Sequence, residues 1–179
     1  GTVVSWGFSG DSISNAQLTQ MTNVVSMVSN SYAYADLRSD GSVACGGNTG
    51  YGGTTPASLT GPTANVTKIV NAAGSFAALK SDGTVWVSGR GYFGELGNGT
   101  SGDQTVSTPV QVKGVGGSGY LTDIIQITQS NYHISALKSD GTVYSWGLGD
   151  SGQLGNGTTT TTTQSTPVQV VGVGGTGYL

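Results

Sequence analysis

The sequence predicts an all-β chain built as an array of antiparallel sheets, and three observations carry that prediction. A turn motif, Ser-Asp-Gly-Thr/Ser-Val, recurs at Ser39–Val43, Ser81–Val85 and Ser139–Val143, and a shortened copy, Gly1-Thr2-Val3, opens the chain. Between the turns lie apolar runs of strand length bounded by Gly, Asn, Asp and Pro. No segment sustains the 3.6-residue period of an amphipathic helix.

The glycine of each motif sets the repeat. Gly1, Gly41, Gly83 and Gly141 stand 40, 42 and 58 residues apart, periods that mark a repeat architecture. Gly83–Leu121 and Gly141–Leu179 align without a gap, with Gly97 matching Gly155, Pro109 matching Pro167 and Tyr120 matching Tyr178. One array over 1–179 is expected, in units 1–40, 41–82, 83–140 and 141–179, the last cut short. Both ends fall inside a repeat, which predicts a piece of a longer array or a chain whose missing strands come from a neighbour. Each unit of such an array buries its apolar face only against the next.

In chain order, Gly1–Trp6 reads as a strand ended by Gly7 and Ser9-Gly10, and Asp11–Gln20 as a polar connection. Val24–Val28 and Tyr32–Leu37 follow, the second alternating Tyr and Ala as a half-buried strand does. Asp40-Gly41 is expected to close a two-residue hairpin. Ser42–Cys45, Val66–Val70 and Phe76–Leu79 make the second unit, where Gly46 stands in the place of Trp6 and Trp146 and is expected to remove a large ring. The third unit offers Val85–Val87, Pro109–Val112, Ile124–Ile127 and Ile134–Leu137, and the fourth copies it. The tracts Gly114–Gly119 and Gly172–Gly177 lack the Lys and Ser/Thr of a phosphate loop and read as flexible connectors.

Composition excludes several functions. Only 8% of residues are charged, the net charge is -3, and the six Lys and Arg are scattered, so no basic patch meets nucleic acid. No run of 18 apolar residues is long enough to span a membrane as a helix. Cys45 is the lone cysteine, with no partner for a disulfide or a metal. A single histidine, His133, and Asp40, Asp82 and Asp140, which the turns explain, leave no catalytic constellation. No enzyme activity, cofactor or metal is expected.

The run Leu137–Gly147, LKSDGTVYSWG, followed by Gly152–Gly157, GQLGNG, resembles the regulator of chromosome condensation repeat family. Gly94-Glu95-Leu96-Gly97 and Gly152-Gln153-Leu154-Gly155 match its Gly-Gln-Leu-Gly signature, and His133 matches its usual histidine. The first two units lack the signature and carry Ala33 and Ser75 in the histidine's place. The resemblance implies a β-propeller of four-stranded antiparallel blades, of which three full repeats and a partial one make about half a ring. It also implies that His133 and the aromatic residues before the signature are structural.

Half a ring has open ends, so Gly1, Val3, Val4 and Trp6 with Pro167, Val168 and Val170 are the strands expected to join a second copy or the rest of a longer chain. Arg90, Tyr92 and Phe93 form a loop that suits another protein as partner. Asn65, Asn98 and Asn156 begin glycosylation sequons, and Thr158–Thr163 is a surface tract. The leading expectation is a non-enzymatic extracellular or cell-surface structural or adhesive module of bacterial type that associates into rings or filaments. The alternatives are a protein-binding propeller, such as an enzyme inhibitor or receptor ectodomain, and, disfavoured by charge and blade number, a nucleotide-exchange or chromatin-binding one.

Overall fold

The computed structural model describes residues 22–159, 163–175 and 177–179. Three antiparallel sheets follow one another along the chain. The first holds β1 (Val24–Ser29), β2 (Ala33–Arg38) and β3 (Val43–Gly47). The second holds β4 (Val66–Asn71), β5 (Ser75–Lys80), β6 (Val85–Arg90) and β7 (Thr105–Gln111). The third holds β8 (Ile124–Gln129), β9 (His133–Lys138), β10 (Val143–Gly147) and β11 (Gln164–Gln169). Strands pair in chain order within each sheet, and each sheet packs on the next, so these are propeller blades. The turn glycines Gly41, Gly83 and Gly141 run through the middle of the blades, between the second and third strands of each.

These turns do two jobs. Asp40 Oδ1 accepts from the Ser42 backbone N–H at 2.9 Å and its hydroxyl at 2.6 Å, and Asp82 with Thr84 and Asp140 with Thr142 repeat the pattern. Those bonds hold all three carboxyls below the usual aspartate range. Only the glycine takes positive φ, and Gly41 N–H donates back to Arg38 O. The loop is therefore a turn closed by a left-handed glycine, not the two-residue hairpin that Asp-Gly predicts, because Asp spends its side chain on the next hydroxyl residue. The glycine also meets the following blade. Gly41 O accepts from Val66 N–H at 3.0 Å and Gly83 O from Ile124 N–H at 3.1 Å. A Cβ on Gly83 would lie 3.0 Å from Asp123 Cα, whereas one on Gly141 would meet nothing within 4 Å among the described residues.

Burial follows position in the stack. β5, in the middle blade, is buried from Ser75 through Leu79, while β9 in the third blade alternates between buried and half-buried residues. The sequences agree: Phe76-Ala77-Ala78-Leu79 is apolar throughout and Ile134-Ser135-Ala136 alternates. One core, containing Val87, Leu96, Ile127, Ile134 and Trp146, joins the second and third blades, and another, with Ala35, Leu37, Ile69 and Phe76, joins the first and second.

Two expectations need correction, and the first blade differs from the others. Gly46 does not leave its blade without a ring: it pairs across the strands with Tyr34, whose ring lies over it so closely that a Cβ there would strike the Tyr34 hydroxyl. The glycine-rich tracts are closed turns and not loose connectors. Gly114 N–H donates to Gly119 O and Gly172 N–H to Gly177 O, and the bridges Lys113 to Tyr120 and Val171 to Tyr178 clasp them. The first blade has three strands among the described residues. At its outer edge the Thr55 hydroxyl accepts from Cys45 N–H and donates to Cys45 O, both at 2.8 Å, where Val87 and Ser145 pair with β7 and β11.

Candidate functional site: an aromatic cleft across three blades

The turns that join first to second strands in the three blades end on equivalent residues: Tyr32, Gly74 and Tyr132, each just before β2, β5 or β9. Two tyrosines thus flank a glycine. The gap is a cleft of about 460 Å³ lined by Tyr32, Tyr51, Arg90, Tyr92, Phe93, Glu95 and Tyr132 together with Ser31, Ala73 and Gly74.

Aromatic contacts build its walls. The Tyr32 and Tyr51 rings stand 4.3 Å apart on one side; on the other, Phe93 lies 4.7 Å from Tyr132 and 4.9 Å from Tyr92. Arg90 lies between them, its guanidinium carbon 6.0 Å from the Tyr51 ring and 5.5 Å from the Tyr92 ring. Arg90 Nη1 donates to the Tyr51 hydroxyl at 3.4 Å, and Nη2 lies 3.8 Å from Asp103 Oδ1. The glycine at 74 makes this possible, since a Cβ there would stand 3.1 Å from Arg90 Cβ and 3.4 Å from Tyr51 Cδ1.

Beneath the cleft is the signature loop. Leu96 is fully buried, and Glu95 Oε2 accepts from Phe93 N–H at 2.7 Å, as Gln153 Oε1 does from Ser151 N–H in the third blade. Burial pushes the Glu95 carboxyl above the usual glutamate range, against the lowering pull of those backbone bonds and of Arg90. Trp146 of the third blade wedges under the loop, fully buried, and donates from Nε1 to Glu95 O at 3.0 Å. A Cβ on Gly97 would come within 2.9 Å of that indole nitrogen.

The structure brings Arg90, Tyr92 and Phe93 together in this cleft. Tyr92 is 47% exposed, while Phe93 is packed between Tyr92 and Tyr132. Sequence reasoning missed Tyr32, Tyr51, Gly74, Glu95 and Tyr132 as lining residues; the signal available was the residue preceding the histidine position, Tyr in two blades and Gly in the middle one.

The other sequence-predicted residues lie elsewhere. Gly1, Val3, Val4 and Trp6 fall outside the described residues. Pro167 and Val168 lie on β11, which pairs with β10 along one edge, and Pro167 is buried. Val170 follows the strand and donates its N–H to Val143 O. Asn98 and Asn156 are half-buried, and each amide oxygen accepts from both the backbone and the hydroxyl of Thr100 or Thr158. Asn65 is exposed, at a left-handed φ of 53° beneath Gly41. His133 opens β9 half-buried, its pKa lowered by burial. Cys45 is buried, and that burial, with the Asp36 carboxylate behind it, pushes its thiol up to about 12. Among the described residues no three His, Cys, Asp or Glu side chains gather as a metal site, and no helix is long and apolar enough to cross a membrane.

Comparison with known proteins agrees with the fold. E3 ubiquitin-protein ligase HERC2 of Homo sapiens and that of Mus musculus are each 38% identical to this chain over 84 residues, 47% of this chain and 2% of theirs. Among solved structures, yeast RCC1 (Prp20) bound to Kap60 superposes with a TM-score of 0.71 at 15% identity, covering 94% of this chain and 44% of that one. Prp20p of Saccharomyces cerevisiae, described with its binding to Gsp1p and histones, gives 0.67 at 17%, over 94% and 46%. Human WBSCR16 gives 0.65 at 20%, over 84% and 40%. The chain therefore spans under half of each of these propellers. The regulator of chromosome condensation (RCC1) repeat matches residues 82–137 and 140–177, and a second description of that repeat matches 124–153. With this match over the blades that carry both signature loops and the Trp146 wedge, the chain belongs to the RCC1 repeat family.

Proposed function

We propose that this chain is a protein-binding module of the propeller type, with its partner held in the cleft between Tyr32 and Tyr132. The observation that carries the reading is Gly74, which leaves a gap where the flanking blades carry tyrosine. Tyrosine and arginine at the centre of a concave site are the residues that dominate protein interfaces. The yeast neighbours are described with Kap60, Gsp1p and histones, which supports a protein as partner without naming which. The test uses the wild-type chain and Gly74→Tyr as parallel baits, each candidate partner then being titrated calorimetrically. Binding should fall at least about tenfold in the variant; equal binding by both would overturn the reading.

A second reading, an extracellular structural or adhesive module that joins end to end, is supported by the third blade. Gly41 and Gly83 press on the following blade, and among the described residues nothing lies within 4 Å of a Cβ built on Gly141. Such a face suits the first blade of a second copy or of a continuing array. Light scattering should then show a dimer or larger species, and a monomer at every concentration tested would rule out self-association. The cell-surface placement rests on the low charge and the three sequons; a glycosidase that leaves the mass of secreted protein unchanged would remove the sequons from its support.

A further inference from the structure

We infer that the cleft takes a proline-rich segment in the polyproline II conformation; this rests on reading the cleft as a protein-binding site. The hydrogen-bonding groups decide the class. Five of the backbone carbonyls around the cleft are already engaged: Tyr32 O accepts from Asn48 N–H, Tyr51 O from Asn30 Nδ2, Gly74 O from Arg90 N–H, Tyr92 O from Gly102 N–H and Tyr132 O from Leu148 N–H. The Glu95 carboxylate is 5% exposed and has Oε2 committed to Phe93 N–H. What the cleft offers is aromatic faces, the Arg90 guanidinium, which can only donate, and the tyrosine hydroxyls, which donate and accept.

A ligand that fits has many acceptors, few donors and flat CH surfaces. Polyproline II meets all three conditions. Proline has no N–H, the helix has no internal hydrogen bonds and so points its carbonyls outward, and its pyrrolidine rings pack on aromatic side chains. A glycan fits less well, because every sugar hydroxyl brings a donor, and five of the cleft's carbonyls and Glu95 Oε2 are already committed. An added β-strand needs a free strand edge, whereas Arg90 ends β6, already paired with β7, and the other lining residues come from turns and from the loops that follow β3 and β6. The walls suit a ridged ligand: Tyr32 with Tyr51, and Tyr92 with Phe93 and Tyr132, stand on either side of the Arg90 side chain.

The experiment pans the 179-residue chain against a displayed library of random twelve-residue peptides, with Gly74→Tyr as counter-target and a glycan array run beside it. Peptides rich in proline should be enriched on the wild type and lost on Gly74→Tyr. Synthesised with fluorescent labels, they should bind at least about tenfold more weakly to Tyr32→Ala and to Tyr132→Ala. Circular dichroism melts confirm that each variant is folded, and Arg90→Ala serves if Gly74→Tyr is not. Enriched peptides that need the cleft but lack proline, or glycans that need it, would overturn the polyproline assignment and leave a binding cleft standing. No ligand that distinguishes wild type from both Gly74→Tyr and Arg90→Ala would overturn the cleft reading itself.

Discussion

The two blade junctions are wedged by different residues from different strands. Between the second and third blades the wedge is Trp146 of β10, under Gly97 and bonded to Glu95 O. Between the first and second it is Phe76 of β5, whose ring lies against Gly52, 2.6 Å from where a Cβ would be. Phe76 pairs across the strands with Ser88, and Ser88 is the residue equivalent to Trp146, which in turn pairs with Ile134. In the first blade the pair is Tyr34 with Gly46. Each blade therefore places one large aromatic ring at one cross-strand pair, and either strand supplies it.

Emptying either pair tests this most severely. Trp146→Ala and Phe76→Ala should each cost about 3–5 kcal/mol in a denaturant melt, as expected for large buried aromatics; a loss under about 1 kcal/mol at either would break the equivalence of the two junctions. Moving the ring is the sharper test. Ser88→Trp alone overpacks against Phe76 and should cost about 1–3 kcal/mol. Phe76→Ile combined with Ser88→Trp reproduces the Ile134 and Trp146 arrangement and should recover much of that loss, a coupling of about 0.5–3 kcal/mol in a double-mutant cycle. Additive single and double mutants would show that the strands are not interchangeable.

The turn glycines extend the comparison from wedge to backbone. Gly83 and Gly141 share a positive φ, 79° and 91°, so alanine at either is strained by about 1 kcal/mol. Only Gly83 also presses on the next blade, and Gly83→Ala should be the more destabilising by about a further 1 kcal/mol. Equal losses would mean that the contact with Asp123 contributes nothing.

The smallest effect separates Glu95 from Gln153, which occupies the same place one blade on. The folded carboxyl of Glu95 is raised by burial, so the native state holds that proton more tightly than the unfolded chain does. Its relative stability is full below the ordinary glutamate range and is lost as pH rises through the folded value. Glu95→Gln should therefore melt higher than wild type at pH 7 and show less advantage at pH 4; a variant less stable at pH 7 would reverse the sign. The turn aspartates act oppositely. Their carboxyls are lowered, so what they contribute is present at neutral pH and lost on acidification below about pH 4.

Much of the fold was legible because it is local. Asp40, Asp82 and Asp140 mark the turn between second and third strands in every blade, and the apolar runs beside them are the strands. The Tyr34 ring over Gly46 was hidden because it depends on register across a hairpin, which no single strand shows. The cleft was half legible. Arg90, Tyr92 and Phe93 stood out as a loop, whereas Tyr51 lies 39 residues before Arg90 and Tyr132 lies 42 after it. What defines the site is a missing side chain, that of Gly74, and an absence becomes visible only when the blades are superposed.

The Thr55 hydroxyl in the first blade satisfies the N–H and C=O of Cys45 together. The turn glycines on either side of this segment, Gly41 and Gly83, are 42 residues apart, against 58 between Gly83 and Gly141. The wedge and the turn contact nevertheless recur at both junctions. Repeat length is thereby uncoupled from the pitch of the array: the rim of a blade can be trimmed or extended while its neighbours keep the same step, and a single hydroxyl suffices to finish the shortened edge.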